Sequence, residues 1–99
     1  MRPPKRILIA ARLLLGQTQA ELAQESGLAL RTIYNAEHGS LGVDTVETLV
    51  AHFEQQGIEF VRPESGRGWG VFNHALFESF DQEKRRLRKN KTAGVSHQG

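Results

Sequence analysis

Arg31, Thr32 and Asn35 sit in the stretch LRTIYNAEH, Leu30 to His38, where Ile33 and Ala36 recur three apart as in a helix with one apolar face. The opposite face then carries Arg31, Thr32 and Asn35, with Arg31 and Asn35 one turn apart. A guanidinium forks onto guanine O6 and N7, and a side-chain amide pairs with adenine N6 and N7. A Thr methyl packs on a thymine methyl, or its hydroxyl meets a phosphate. These residue types at this spacing can read base edges in a duplex groove. A merely solvated helix face carries the same types, so the elements around them decide between the two.

Those elements are written in Thr18–Gly39, TQAELAQESGLALRTIYNAEHG. Thr18 and Glu21 have capping-box spacing, which starts a helix. Leu22 and Ala23 point inward, while Gln19, Glu21, Gln24 and Glu25 point outward. Gly27 stops this helix, because glycine takes the left-handed conformation without penalty. Leu28 plugs the turn, and Gly39 ends the second helix. Ala23 is small where two helices must cross closely. Ahead of the pair, Ile7, Ala11, Leu14 and Leu15 form the inner stripe of a first helix that starts near Pro3–Pro4.

From Ile9 to Phe60 the chain resembles the phage-repressor-like helix-turn-helix family, the Cro and lambda-repressor (XRE) class of transcriptional regulators. The resemblance is carried by Gln19 at the helix start, Ala23 and Gly27 into the turn, Thr32-Ile33 in the recognition helix, and Glu37-His38-Gly39 at its end. It implies a lambda-repressor-like bundle of four helices. It also implies base contacts from Leu30, Arg31, Thr32 and Asn35, and backbone contacts from Thr18, Gln19, His38, Ser40 and Thr45. A structural ion pair between Arg12 and Glu37 is implied as well. The chain departs from the family at two positions. Ala29 stands where a Ser or Thr cap is common, and Leu30 where a polar base-contacting residue is common. Leu30 meets either a thymine methyl or a partner protein.

Ninety-nine residues suffice for one core, and with no Cys there is neither a disulfide nor a thiolate metal site. The formal charge of +2 is unevenly placed. Residues 84–99 carry six Lys or Arg and no acid, whereas residues 1–83 carry seven Lys or Arg against eleven acids, leaving −4. DNA affinity would lean on local basic residues and on the tail. The basic start before ILIAARLLL looks a little like a secretion signal, but Arg12 breaks the apolar run and no clear cleavage site follows. An amphipathic first helix is the expectation, in a cytoplasmic protein.

After Gly39, Asp44 and Glu47 read as a capping box for a fourth helix with Val46, Leu49, Val50 and Phe53 as its stripe. Ile58–Val61 alternates as a strand, Arg62–Gly68 reads as a turn region, and Trp69–Phe72 can pair back. Asn73 can cap a last helix whose mixed face holds Ala75, Leu76, Phe77, Phe80, Lys84 and Leu87. The fold class expected is therefore mostly α: four helices, a small β-hairpin and a C-terminal helix. Three regions are expected, namely 1–57 as the helix-turn-helix domain, 58–87 as a dimerisation or partner-binding extension, and 88–99 as a basic disordered tail.

Catalysis finds no constellation. His38, His52, His74 and His97 match no zinc spacing and read as isolated surface or helix-end histidines. SGRGWG lacks the Lys and the strand–loop–helix context of a phosphate loop, and no nucleophile elbow occurs. No enzyme, metal or cofactor is expected. The expectation is a sequence-specific repressor that binds a palindromic operator as a homodimer. Phe53, Ile58, Phe60, Val71, Phe72, Phe77 and Phe80 are its candidate dimer or partner surface. Two alternatives stay open: an antitoxin that binds a toxin and represses its own operon, and a protein-binding module without DNA reading.

Overall fold

The structure, a computed structural model, describes residues 1–39 and 41–88. Four helices run α1 (Lys5–Leu14), α2 (Gln19–Ser26), α3 (Leu30–His38) and α4 (Val43–Gln55). An antiparallel hairpin of β1 (Ile58–Val61) and β2 (Gly70–Asn73) follows. A fifth helix, α5, begins at residue 80 and reaches 88, the last described residue. None of the described helices is long and apolar enough to cross a membrane.

Local chemistry explains the helix ends. The Glu21 amide donates to Thr18 Oγ1 at 3.0 Å, and the Thr18 amide donates to Glu21 Oε1 at 2.9 Å, closing the capping box of α2. Hydrogen bonds to the carboxylate from Thr18, its backbone amide first and then its hydroxyl, hold the Glu21 carboxyl below its usual range. Gly27 ends α2 at φ 79°, in the left-handed region. At α3 the capping residue, Ala29, makes no side-chain bond. Substituting Ala29→Ser supplies the missing acceptor. It is expected to raise stability by about 1 kcal/mol, read as a higher denaturant midpoint at unchanged slope. An unaltered midpoint would mean that α3 gains nothing from a side-chain cap.

The core is shared. Ala11, Ala23 and Ala36 place one buried small residue on each of α1, α2 and α3, and α3 packs against both α1 and α2. Leu8, Leu22, Ile33, Val46, Leu49, Val50 and Phe53 fill the space between helices. Leu8, and not only the expected stripe of Ile7, Ala11, Leu14 and Leu15, carries the inner face of α1. Ile58 and Phe60 of β1 belong to the same cluster, and Phe60 meets Phe53 edge to face at 6.3 Å. The expected boundary at residue 57 therefore does not divide the core. The hairpin closes over that core through Ile58, Phe60 and Val71.

Three expectations near element ends are corrected. Helix α4 starts at Val43 behind Gly42, so Asp44 lies inside its first turn and does not cap it. Strand β2 covers Gly70–Asn73, one residue later than expected, in the register Ile58 to Asn73 and Val61 to Gly70. Asn73 does not start a helix. Its Nδ2 donates to the Leu14 carbonyl at 2.9 Å, and its Oδ1 accepts from the Ala75 amide at 2.9 Å. Asn73 thus ties the end of the hairpin to an otherwise unsatisfied carbonyl at the end of α1. The last helix is capped instead by Ser79 and Gln82. The Gln82 amide donates to Ser79 Oγ at 3.3 Å, and the Ser79 amide donates to Gln82 Oε1 at 2.8 Å.

Candidate nucleic-acid interface

Helices α2 and α3 are joined by three residues, Gly27-Leu28-Ala29. Ser26 Oγ accepts from the Leu28 amide at 3.3 Å, and Leu28 packs on the core, so the turn is anchored at both ends. Ile33 and Ala36 pull one face of α3 into the core. The 3.6-residue period then sends Leu30, Arg31, Tyr34, Asn35 and His38 to the outside, with Thr32 half-buried. Among the described residues nothing pairs with the Arg31 guanidinium or the Asn35 amide. Both keep their hydrogen-bonding groups available. Leu30 and Tyr34 are each 51% exposed, an apolar contribution to the same face. The Tyr34 ring stacks on His38 with centroids 3.9 Å apart, and His38 Nδ1 lies 2.8 Å from the Tyr34 carbonyl oxygen.

Behind this face lies a polar junction. Arg12 Nε donates to Glu37 Oε2 at 2.7 Å and Arg12 Nη2 to Glu37 Oε1 at 3.1 Å, a bidentate pair. Arg12 Nη1 donates to the Gln17 carbonyl at 2.9 Å, so one guanidinium joins α1, the loop before α2, and the end of α3. The two side chains are 14% and 8% exposed. Burial works to raise the Glu37 carboxyl. The hydrogen bonds from Arg12 and Gln19, with the nearby Arg12 charge, outweigh it and hold the group below its usual range.

Gln19 has a role that local spacing could not reveal. Its Nε2 donates to Glu37 Oε1 at 2.9 Å. A carboxamide nitrogen carries two protons, so a second N–H remains for another acceptor. Glu37 therefore fixes the orientation of Gln19 at the first turn of α2. Thr18 is exposed beside it, and Thr45 is half-buried on α4. Ser40 lies outside the described residues, as does the tail from 89. The outer face of α2 is acidic, where Glu21, Gln24 and Glu25 line a shallow hollow. That surface repels anions.

The expected dimer or partner surface divides in two. Phe53, Ile58 and Phe60 are at most 4% exposed and sit within their own core, which removes them from any partner surface. Val71 packs partly against the core. Phe72, Phe77 and Phe80 remain open, at 55%, 87% and 74% exposed. Phe72 lies on the outer face of the hairpin with Glu59 and His74, whose Nε2 lies 2.6 Å from Glu59 Oε1. His52, in the last turn of α4, is buried beside Phe53, and among the described residues its Nε2 has no hydrogen-bond partner. Among the described residues no group of His, Asp and Glu is arranged to hold a metal ion. No protein-family model matches the chain, and no curated protein matches it.

Proposed function

We propose that this chain is a sequence-specific DNA-binding regulator of the lambda-repressor-like helix-turn-helix kind. It would occupy an operator as a two-copy assembly and act as a repressor by excluding polymerase. The observation that carries the reading is the outward face of α3. Among the described residues Arg31 and Asn35 stand there without a partner on one side of a short helix, while Ile33 and Ala36 lock its other side into the core. In this reading α3 enters the major groove, with Arg31 on guanine, Asn35 on adenine, and Thr32 and Leu30 against thymine methyls. Gln19, oriented by Glu37, offers its second N–H to a phosphate at the entrance of the groove. Thr18, His38, Ser40 and Thr45 complete the backbone contacts. One recognition helix spans only a few base pairs, so the reading takes two copies on an inverted repeat.

Selection from a random duplex pool at low ionic strength tests this. The expected result is an enriched inverted repeat whose binding weakens steeply with added salt, as phosphate neutralisation requires. A pool that shows no enrichment refutes the reading. A second reading, a protein-binding module of the same architecture, draws on the exposed Leu30 and Tyr34 and on the acidic outer face of α2. It predicts no salt-dependent duplex binding at all.

A further inference from the structure

Every residue from 74 to 88 is exposed. Within that run Leu76, Phe77, Phe80 and Leu87 are 52%, 87%, 74% and 55% open to solvent. Phe80, Lys84 and Leu87 stand at i, i+4 and i+7 and share one face of α5. A helix of this length is marginal unless its apolar stripe is covered. The charges say what kind of cover fits. Glu78, Asp81 and Glu83 lie toward its start, and Lys84, Arg85, Arg86 and Arg88 follow. Any partner that buries the Phe80–Leu87 stripe must be basic at one end and acidic at the other. The segment is itself such a partner when reversed. Laid antiparallel, each acidic half faces a basic half and the helix dipoles oppose favourably. Laid parallel, like charges face each other.

We propose that residues 79–88 pair antiparallel with the same segment of a second copy. The two-fold axis passes near Glu83 and Lys84, and Phe80 of each chain lies against Leu87 of the other. The contact is isologous, as a closed two-copy assembly requires. Glu78 Oε2 lies 3.1 Å from Arg86 Nη1, which ties the approach to α5 to its last described turn and stiffens the surface. Nine helical residues span about 13 Å, so the buried area is small and the pairing belongs to the weak, micromolar class. The proposal rests on the two-copy part of the proposed function and is independent of the groove contact.

Sedimentation of the full chain without DNA, at about 100 µM, tests it. The expected result is a dimer whose dissociation constant rises on the order of a hundredfold in Phe80→Asp, with unchanged melting because the side chain is exposed. The chain has no Cys, so introduced thiols report orientation. Phe80→Cys mixed with Leu87→Cys should oxidise to the mixed dimer, whereas Leu87→Cys alone should not cross-link. A monomeric wild type, a Phe80→Asp dimer of unchanged affinity, or a Leu87→Cys homodimer each overturns the pairing. Duplex binding is read separately. A chain that dimerises and ignores DNA supports the pairing and refutes the groove contact, and a monomer that binds its operator does the reverse.

Discussion

Glu37→Gln is expected to lower stability by about 3 kcal/mol, the lower end of the loss when a buried ion pair is broken. For a chain of this size the melting temperature should fall on the order of 15 °C. The carboxylate accepts both forks of Arg12 and the amide of Gln19, all within 3.1 Å. Gln at 37 retains one acceptor oxygen but leaves the Arg12 charge without a counter-ion. The loss is also pH-dependent, with a definite sign. The folded carboxyl titrates below its ordinary value of 4.5, so the unfolded chain binds the proton more readily. The stabilisation is therefore complete above that ordinary value. It fades as pH falls through the lower folded value. Denaturation of wild type and variant from neutral pH to about pH 3 should show the gap narrowing on the acid side. Equal melting at neutral pH would mean that the junction contributes nothing to stability.

Arg31→Ala should relax the preference at one base pair of each half-site by roughly 1–3 kcal/mol, about five- to 150-fold in relative affinity. The side chain is exposed and has no partner among the described residues, so its removal should leave the fold intact and the change should report on recognition. Gln19→Ala provides the contrast. If the Gln19 amide binds phosphate as proposed, deleting it at the start of α2 should weaken all duplexes alike and leave their ranking unchanged. Competition between the preferred operator and single-base variants separates the two. If Arg31→Ala keeps the wild-type ranking, Arg31 does not read a base.

The contrast between Gln19 and Arg31 also marks how far a linear reading reaches. Arg31, Asn35 and the turn at Gly27 are governed by neighbours within four residues, and a helical period or a capping box records such relations directly. The Ser79–Gln82 box is equally present in the sequence, but Asn73, a stronger-looking cap, precedes it and masks it. Asn73 is instead drawn to the Leu14 carbonyl, 59 positions away in the chain. The same limit applies to Gln19, whose partner Glu37 is 18 positions on and reaches it only because α2 and α3 pack together. Phe53, Ile58 and Phe60 look like surplus apolar material when the hairpin is imagined alone, and become core once β1 closes over α4.

The order and type of the first four helices, the turn at Gly27 and the outward placing of Arg31 and Asn35 follow from short-range preferences of the residues themselves. The junction of Arg12, Glu37 and Gln19, the tie from Asn73 to α1, and the division of the aromatic residues between core and open surface required the folded chain. Hydrogen bonds and apolar contacts between distant segments exist only once packing has chosen which faces meet. That choice is a property of the whole arrangement and of no window along it.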